Sequence, residues 1–320
     1  MIKIYNTDIN TGKTTKIDEF IKGAWISLTN PSDEEIRKVC SSINIQEDFI
    51  RYSLDLEEQA RIDQEDDDST VLFVVDTPII EKSEDSSLYT TMPLGMIVVR
   101  DDYFITVSSC SNKVIEDFEK NKVKNFATYK KSRFLLQILY SNASYFLTYL
   151  KQINKESENA ESRLKNSMKN KELLKLLSIE KSLVYFSTSL KANEIVMEKT
   201  MRGKILKLYE EDEDLLEDAI IENKQAIEMG KIYSDILSGT MDAYASLISN
   251  NLNGVMKFLA SITLVIAVPT MISSFWGMNL NVPFEHNPLG FPIMITISVI
   301  LTIRHFERDE FPKQNEVQYC

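Results

Sequence analysis

The sequence predicts an α+β domain followed by a long helical stalk and two C-terminal transmembrane helices. Three observations carry this. Short β-type runs mix with short helices up to about residue 108, and helical periodicity then runs unbroken from Phe126 to Ser249. Finally, Phe258 to Ile303 contains no Lys or Arg and a single acid, Glu285. The 320 residues suffice for two ordinary domains. With 43% apolar and 26% charged residues, the average composition excludes a many-spanning membrane protein.

In the first part, MIKIY and TTKID pair as a hairpin across Asn10-Thr11-Gly12, and AWISL, VLFVVD, LGMIVV and YFITV read as further strands. Helix starts are marked by Ser32 before DEEIRKV and by Ser111 before NKVIEDFEK. Neither GxGxxG nor GxxxxGK occurs among the nine glycines, so no nucleotide loop of those types is expected.

Beyond Phe126, Phe134, Leu135, Ile138, Leu139, Phe146, Leu150 and Ile153 recur at helical spacing, as do Leu174, Leu177, Leu183, Phe186 and Leu190. No proline lies between Pro93 and Pro269. Two antiparallel helices turning near Asn166 to Asn170 fit the lengths. The acidic run EEDEDLLED, Glu210 to Asp218, starts a third helix, since acids favour the positive end of the helix dipole. Leu237, Tyr244, Ile248, Val255 and Leu259 continue the pattern with no stop, giving one rod of roughly 60 residues, about 90 Å long at 1.5 Å per residue.

Phe258 to Trp276, FLASITLVIAVPTMISSFW, has nineteen residues, close to the roughly 20 that span a ~30 Å hydrocarbon core. The second run, about Leu289 to Phe306, has a shorter strictly apolar part and relies on interfacial anchoring or local thinning. A buried hairpin in a soluble protein is the alternative, but the charged remainder offers little core for it. No signal peptide is expected in MIKIYNTDINTGK. Lys257, Arg304, Arg308 and Lys313 flank the spans while the intervening loop has no base, which places both termini in the cytoplasm and the protein in the cell membrane. The expected segments are 1–125, 126–250, 251–277, an external loop at 278–288, 289–306 and a tail at 307–320.

Composition excludes several functions. With 48 acids against 36 bases the net charge is −12, unlike the basic footprint of a nucleic-acid binder. Cys40, Cys110 and Cys320 are odd in number and far apart, so neither a disulfide framework nor a zinc knuckle is indicated. The two histidines, His286 and His305, exclude a His-based centre before residue 286. No nucleophile–base pair or metal-ligand cluster suggests an enzyme.

Asn253, Met256, Ala260, Thr263, Ala267, Thr270 and Ser274 fall at steps of three and four and share one helix face. Such small and hydroxyl residues suit either a helix-packing seam or a pore lining, and spacing alone leaves both open. Pro269 adds a kink and frees a backbone carbonyl, tolerable only against protein or water.

VPTMISSFWGMN, with Gly277-Met278-Asn279 at the outer end of the first of two terminal spans, resembles the CorA magnesium transporter family. The resemblance extends through LSGTMDAYASLISNNLNGVMKFL and, in the order of parts, over essentially the whole chain. It implies a funnel-shaped homopentamer in the lipid bilayer, whose first spans surround one ion pathway. Asn279 is then a ring of amide carbonyls at the mouth, shaped by Gly277 and Met278. Asn253 and Thr270 form further polar rings, and Met256 and Leu259 a hydrophobic gate. Ala267 stands where the family often has a larger residue, so a second constriction there is wider or missing.

The resemblance further implies Mg2+ as both transported and regulatory ion, with Co2+ or Ni2+ as additional cations. Asp55 in SLDLEEQARID and Asp218 match the family's inhibitory metal site, with Glu57, Glu58, Asp66, Asp67 and Asp68 nearby as substitutes. The alternative for both aspartates is a solvated helix surface. One departure concerns charge: the tail reads ERDEF, and the hairpin tip carries Arg163, Lys165, Lys169 and Lys171, the reverse of the family's usual signs. Either an attraction of reversed polarity is kept, or these charges are simply solvated. A zinc transporter of the same family and a membrane-anchored helical adaptor are the competing functions.

Overall fold

The computed structural model describes residues 1–65, 70–82, 87–99, 102–167, 170–203, 205–206, 208–278 and 288–308. Two compact units form, Met1–Gly239 and Thr240–Cys320. The strands are β1 (Ile2–Thr7), β2 (Thr14–Ile17), β3 (Trp25–Thr29), β4 (Arg61–Gln64), β5 (Thr70–Lys82), β6 (Ser87–Val99) and β7 (Tyr103–Ser108). The helices are α1 (Asp33–Ile43), α2 (Glu47–Tyr52), α3 (Lys113–Glu119), α4 (Lys131–Ser167), α5 (Asn170–Gly203), α6 (Glu210–Trp276) and α7 (Gly290–Arg308).

In the first unit a seven-stranded sheet has the order β2-β1-β3-β7-β6-β5-β4. All pairs are antiparallel except β3 with β7. The β1–β2 hairpin forms as expected, its turn closed by Gly12 at φ 65°. Period-2 alternation sends Val71, Phe73 and Val75 of β5 to one face and Leu72 and Val74 to the other. The first face packs on α3, α4, α5 and the start of α6, and the second on α1 and α2. Trp25 anchors the larger core: its ring meets Phe134 edge-on at 5.0 Å while Nε1 donates to Thr106 Oγ1 at 2.9 Å.

Local signals account for the helix starts. Helix α1 starts after Ser32, as the sequence suggests, and the structure adds that Ser32 and Glu35 form a reciprocal capping box. For α3 the cap is Asn112 and not Ser111. The Asn112 side chain accepts from Val114 N at 2.8 Å, whereas Ser111 Oγ donates to Glu116. Strand β4 and helix α2 were not expected. Both are too short to show a period: β4 has four residues, each at least partly exposed, and α2 has six.

Helices α4 and α5 run for 37 and 34 residues on either side of positions 168–169. Phe134, Leu135, Ile138, Leu139, Phe146, Leu150 and Ile153 are all fully buried. On α5 the expected stripe is only half right, because Leu183, Phe186 and Leu190 are buried but Leu174 and Leu177 are exposed. Leu176 and Ile179 continue the buried stripe instead, because the six-residue step from Leu177 to Leu183 puts Leu174 and Leu177 on the opposite side of α5.

Helix α6 begins at Glu210, in the acidic run, and continues for 67 residues, about 100 Å at 1.5 Å per residue. Among the described residues it is the one helix long and apolar enough to cross a membrane by length and composition; α7 has the shorter apolar stretch Gly290–Arg304. Pro292 sits in the first turn of α7, where its missing N–H costs no helical bond, and its carbonyl accepts from Thr296 Oγ1 at 2.8 Å.

Candidate functional site

The seam of small and polar residues lies on α6 within the second unit. Asn253, Met256, Leu259 and Thr270 are all exposed in the single chain, and Met256 and Leu259 keep 57% and 56% of their surface open. Thr263 Oγ1 donates to the Leu259 carbonyl at 2.8 Å and Thr270 Oγ1 to the Ile266 carbonyl at 2.7 Å. Each hydroxyl proton is thereby used inside the helix, and its oxygen lone pairs remain to accept from water. Thr263, Ala267, Thr270 and Ser274, with Ile262, Ile266 and Met271, line an open depression of about 490 Å3.

Where α7 packs decides between the two readings of that seam inside one chain. Val265, Pro269, Ile272, Ser273 and Trp276 of α6 face Phe291, Met294, Ile295, Ser298, Val299 and Thr302 of α7 across a groove of about 570 Å3. At 100° per residue, the α7-facing set and the seam are roughly 160° apart around α6. The seam is therefore not the packing surface for the second helix of its own chain. Sequence periodicity defined the seam but did not assign the α7-facing set. Its one signal was Pro269, whose missing N–H leaves the Val265 carbonyl without its helical donor on the side that α7 covers.

At the end of α6, Gly277 N donates to the Ser273 carbonyl at 3.0 Å. A Cβ on Gly277 would stand 3.3 Å from that same oxygen, tight enough to disfavour a side chain there. Met278 follows, half exposed. Asn279, on which the expected mouth ring depends, lies outside the described residues, as does Glu285.

In the first unit, Asp55 follows α2 in an exposed turn. Its Oδ1 accepts from Glu57 N at 3.0 Å, and its carbonyl accepts from Glu58 N at 3.3 Å. Asp218 is exposed on α6. Neither carboxylate forms an ion pair with a described residue, and no group of three or more His, Cys, Asp or Glu able to hold a metal gathers among the described residues. One chain thus leaves both aspartates free to meet ligands from elsewhere. Asp66, Asp67 and Asp68 lie outside the described residues. At the hairpin tip Arg163 lies 4.0 Å from Glu172, so part of its charge is met locally. Lys169 and the acidic side chains of the tail lie outside the described residues.

Comparison with known proteins adds a second line. A family model described as CorA-like Mg2+ transporter protein matches residues 22–308. The cobalt/magnesium transport protein CorA of Methanocaldococcus jannaschii is 29% identical over 282 residues, covering 87% of this chain and 86% of the relative. The solved structure of the CorA magnesium transporter from the same organism is similar at a TM-score of 0.82 and 27% identity, over 97% of this chain and 98% of that one. The ZntB cytoplasmic domain from Vibrio parahaemolyticus, at a TM-score of 0.60 and 11% identity over 78% of this chain and 98% of that one, shares the fold alone.

Proposed function

The chain belongs to the CorA-like Mg2+ transporter family, and on that premise we propose that it is a magnesium channel rather than an enzyme, conducting hydrated Mg2+ into the cytoplasm down the membrane potential. Cobalt is a second cargo, in keeping with the name of the Methanocaldococcus relative. In this reading α6 and α7 both span the bilayer, and five copies place their α6 helices around one axis.

The observation that carries the reading is the seam on α6, which turns away from α7 and leaves Asn253, Met256, Thr270 and their neighbours exposed in the single chain. Exposed Ile221, Ile232 and Ile236 on the earlier part of α6 support self-association, since apolar side chains of that size gain from cover.

Magnesium dehydrates reluctantly and keeps several waters in an octahedral shell. Neutral amide and hydroxyl oxygens at Asn279, Thr270 and Asn253 accept hydrogen bonds from those waters without stripping them. Carboxylate rings would hold the dication more tightly and slow its release, whereas conduction needs binding weak enough to leave. Gly277 and Met278 shape the mouth, and Met256 and Leu259 close the narrow part by excluding water. Asp55 and Asp218 bind the regulatory Mg2+ between neighbouring subunits, each carboxylate giving one ligand and water the rest, a weak bridge suited to a sensor.

Ion flux into proteoliposomes tests the proposal, comparing magnesium, cobalt and zinc for the wild type and Asn279→Ala. Magnesium flux that collapses in the variant supports it. Equal flux in both proteins overturns the amide mouth, and zinc flux exceeding magnesium flux overturns the assigned cargo.

A further inference from the structure

Between the β1–β2 hairpin and the start of α4 lies a depression of about 770 Å3 that the transport reading does not use. Its frame is fixed by hydrogen bonds. Thr7 N donates to Thr128 Oγ1 and Thr128 N donates to Thr7 Oγ1, both at 3.0 Å. Asn121, held at φ 53°, donates from Nδ2 to the Thr14 carbonyl at 3.2 Å. Among the described residues the lining includes Lys13, Lys130 and Arg133 but only one carboxylate, Glu211, in a chain whose net charge is −12.

The charges in this depression are incompletely matched. Arg133 lies 3.3 Å from both Asp212 and Glu211; Asp212 is buried and holds the guanidinium in place, whereas the Glu211 side chain is 86% exposed. An exposed carboxylate contributes little and is readily displaced. Lys13 and Lys130 form no ion pair with a described residue. The first turn of α4 has no acid, so the positive end of a 37-residue helix adds to these cations and is not offset by its own side chains. Tyr129, 38% exposed, stands beside Lys130 on the same wall.

We propose that this depression binds a nucleoside polyphosphate, with its phosphates on Lys13, Lys130 and Arg133 and its base against Tyr129. The volume falls within the range of small-molecule sites, roughly 300–1,000 Å3. Arg133 offers a planar fork suited to phosphate once Glu211 swings away, while the two ammonium groups act as point charges. The tyrosine ring supplies an apolar face for stacking. None of this depends on the transport reading, because the ligand sits on the first unit and binding is measured without ion flux.

Isothermal titration of the full-length protein in detergent, in metal-free buffer with EDTA, tests the site with ATP, tripolyphosphate and adenosine. Chelation keeps the capture of protein-bound magnesium by ATP from being read as binding. ATP is expected to bind, and Lys13→Glu with Lys130→Glu to weaken it by about tenfold or more. Both lysines are exposed, so the fold should survive, and the paired alanine variant, checked by circular dichroism, guards against misfolding. Tyr129→Ala is expected to weaken ATP but not tripolyphosphate. Absence of ATP binding, or unchanged affinity in both lysine variants, overturns the site. Tripolyphosphate binding as tightly as ATP overturns the nucleoside assignment.

Discussion

Ser53 sits directly on Gly95. A Cβ built on that glycine of β6 would fall 1.9 Å from Ser53 Oγ and 2.4 Å from its Cβ, so only glycine leaves room for the end of α2 to close on the sheet. Ser53 is buried, and its hydroxyl donates to the Phe49 carbonyl at 2.9 Å. Two residues later the chain presents Asp55. The placement of a proposed regulatory carboxylate therefore depends on a missing methyl group forty residues away in sequence.

Gly95→Ala should destabilise the protein by about 1–3 kcal/mol, the usual cost of overpacking a closed core. Thermal unfolding followed by circular dichroism checks this. Ser53→Gly combined with Gly95→Ala should restore most of the loss, because it removes the atoms the new methyl group meets. No rescue would mean that the strain arises from another neighbour.

A second relationship concerns Asp76 on β5. Strand β4 pairs with β5 only as far as Val74, and beyond it Asn193 of α5 takes over the role of a strand. Its Oδ1 accepts from Asp76 N and its Nδ2 donates to the Asp76 carbonyl, both at 2.8 Å, while Asn142 donates to the same carbonyl. Burial pushes the Asp76 carboxyl above the usual aspartate range, partly offset by a bond from the Ser189 hydroxyl. A raised carboxyl pKa means that the folded protein holds its proton more tightly than the unfolded chain, so stability falls as pH rises through the folded value. Asp76→Asn keeps an acceptor for Ser189 and removes the ionisation. The variant should melt higher than the wild type at pH 7, and the gap should close as the pH falls towards 3.8, the ordinary aspartate value. Melting curves at several pH values check it.

Ala267 lies on the seam between Thr263 and Thr270. Ala267→Met should narrow the proposed pathway and slow magnesium flux by about tenfold or more, the scale of an added hydrophobic constriction of roughly 1.4 kcal/mol or larger. Val268→Met, one residue on and about 100° around the helix, should leave flux within a few-fold of the wild type. Proteoliposome flux distinguishes them, and equal effects would argue against a pathway confined to this face.

Asp55→Ala combined with Asp218→Ala should leave magnesium flux less inhibited by magnesium on the cytoplasmic side. The double variant is the informative one, because Glu57 and Glu58 stand beside Asp55 and can replace a single lost carboxylate. Flux measured against internal magnesium should show the half-inhibiting concentration rising by about tenfold, as expected when a dication loses both of its charged ligands. An unchanged curve would remove these aspartates from regulation.

Much of this molecule was legible from local pattern alone. The helix start at Ser32, the start of α6 in the acidic run at Glu210, its continuation to Trp276 and the single-faced set from Asn253 to Ser274 all follow from short-range rules of spacing and charge. Those rules act within a turn or two of the chain, and one sequence states them completely. What only the tertiary structure decided depends on partners distant in sequence: that α7 covers the Pro269 side of α6, that Asn193 substitutes for a strand, and that Ser53 needs Gly95. An apolar side chain or an amide carries the same local signal whichever surface it meets. Its partner is set when sheet and helices close on one another, by which groups must then be buried or hydrogen-bonded.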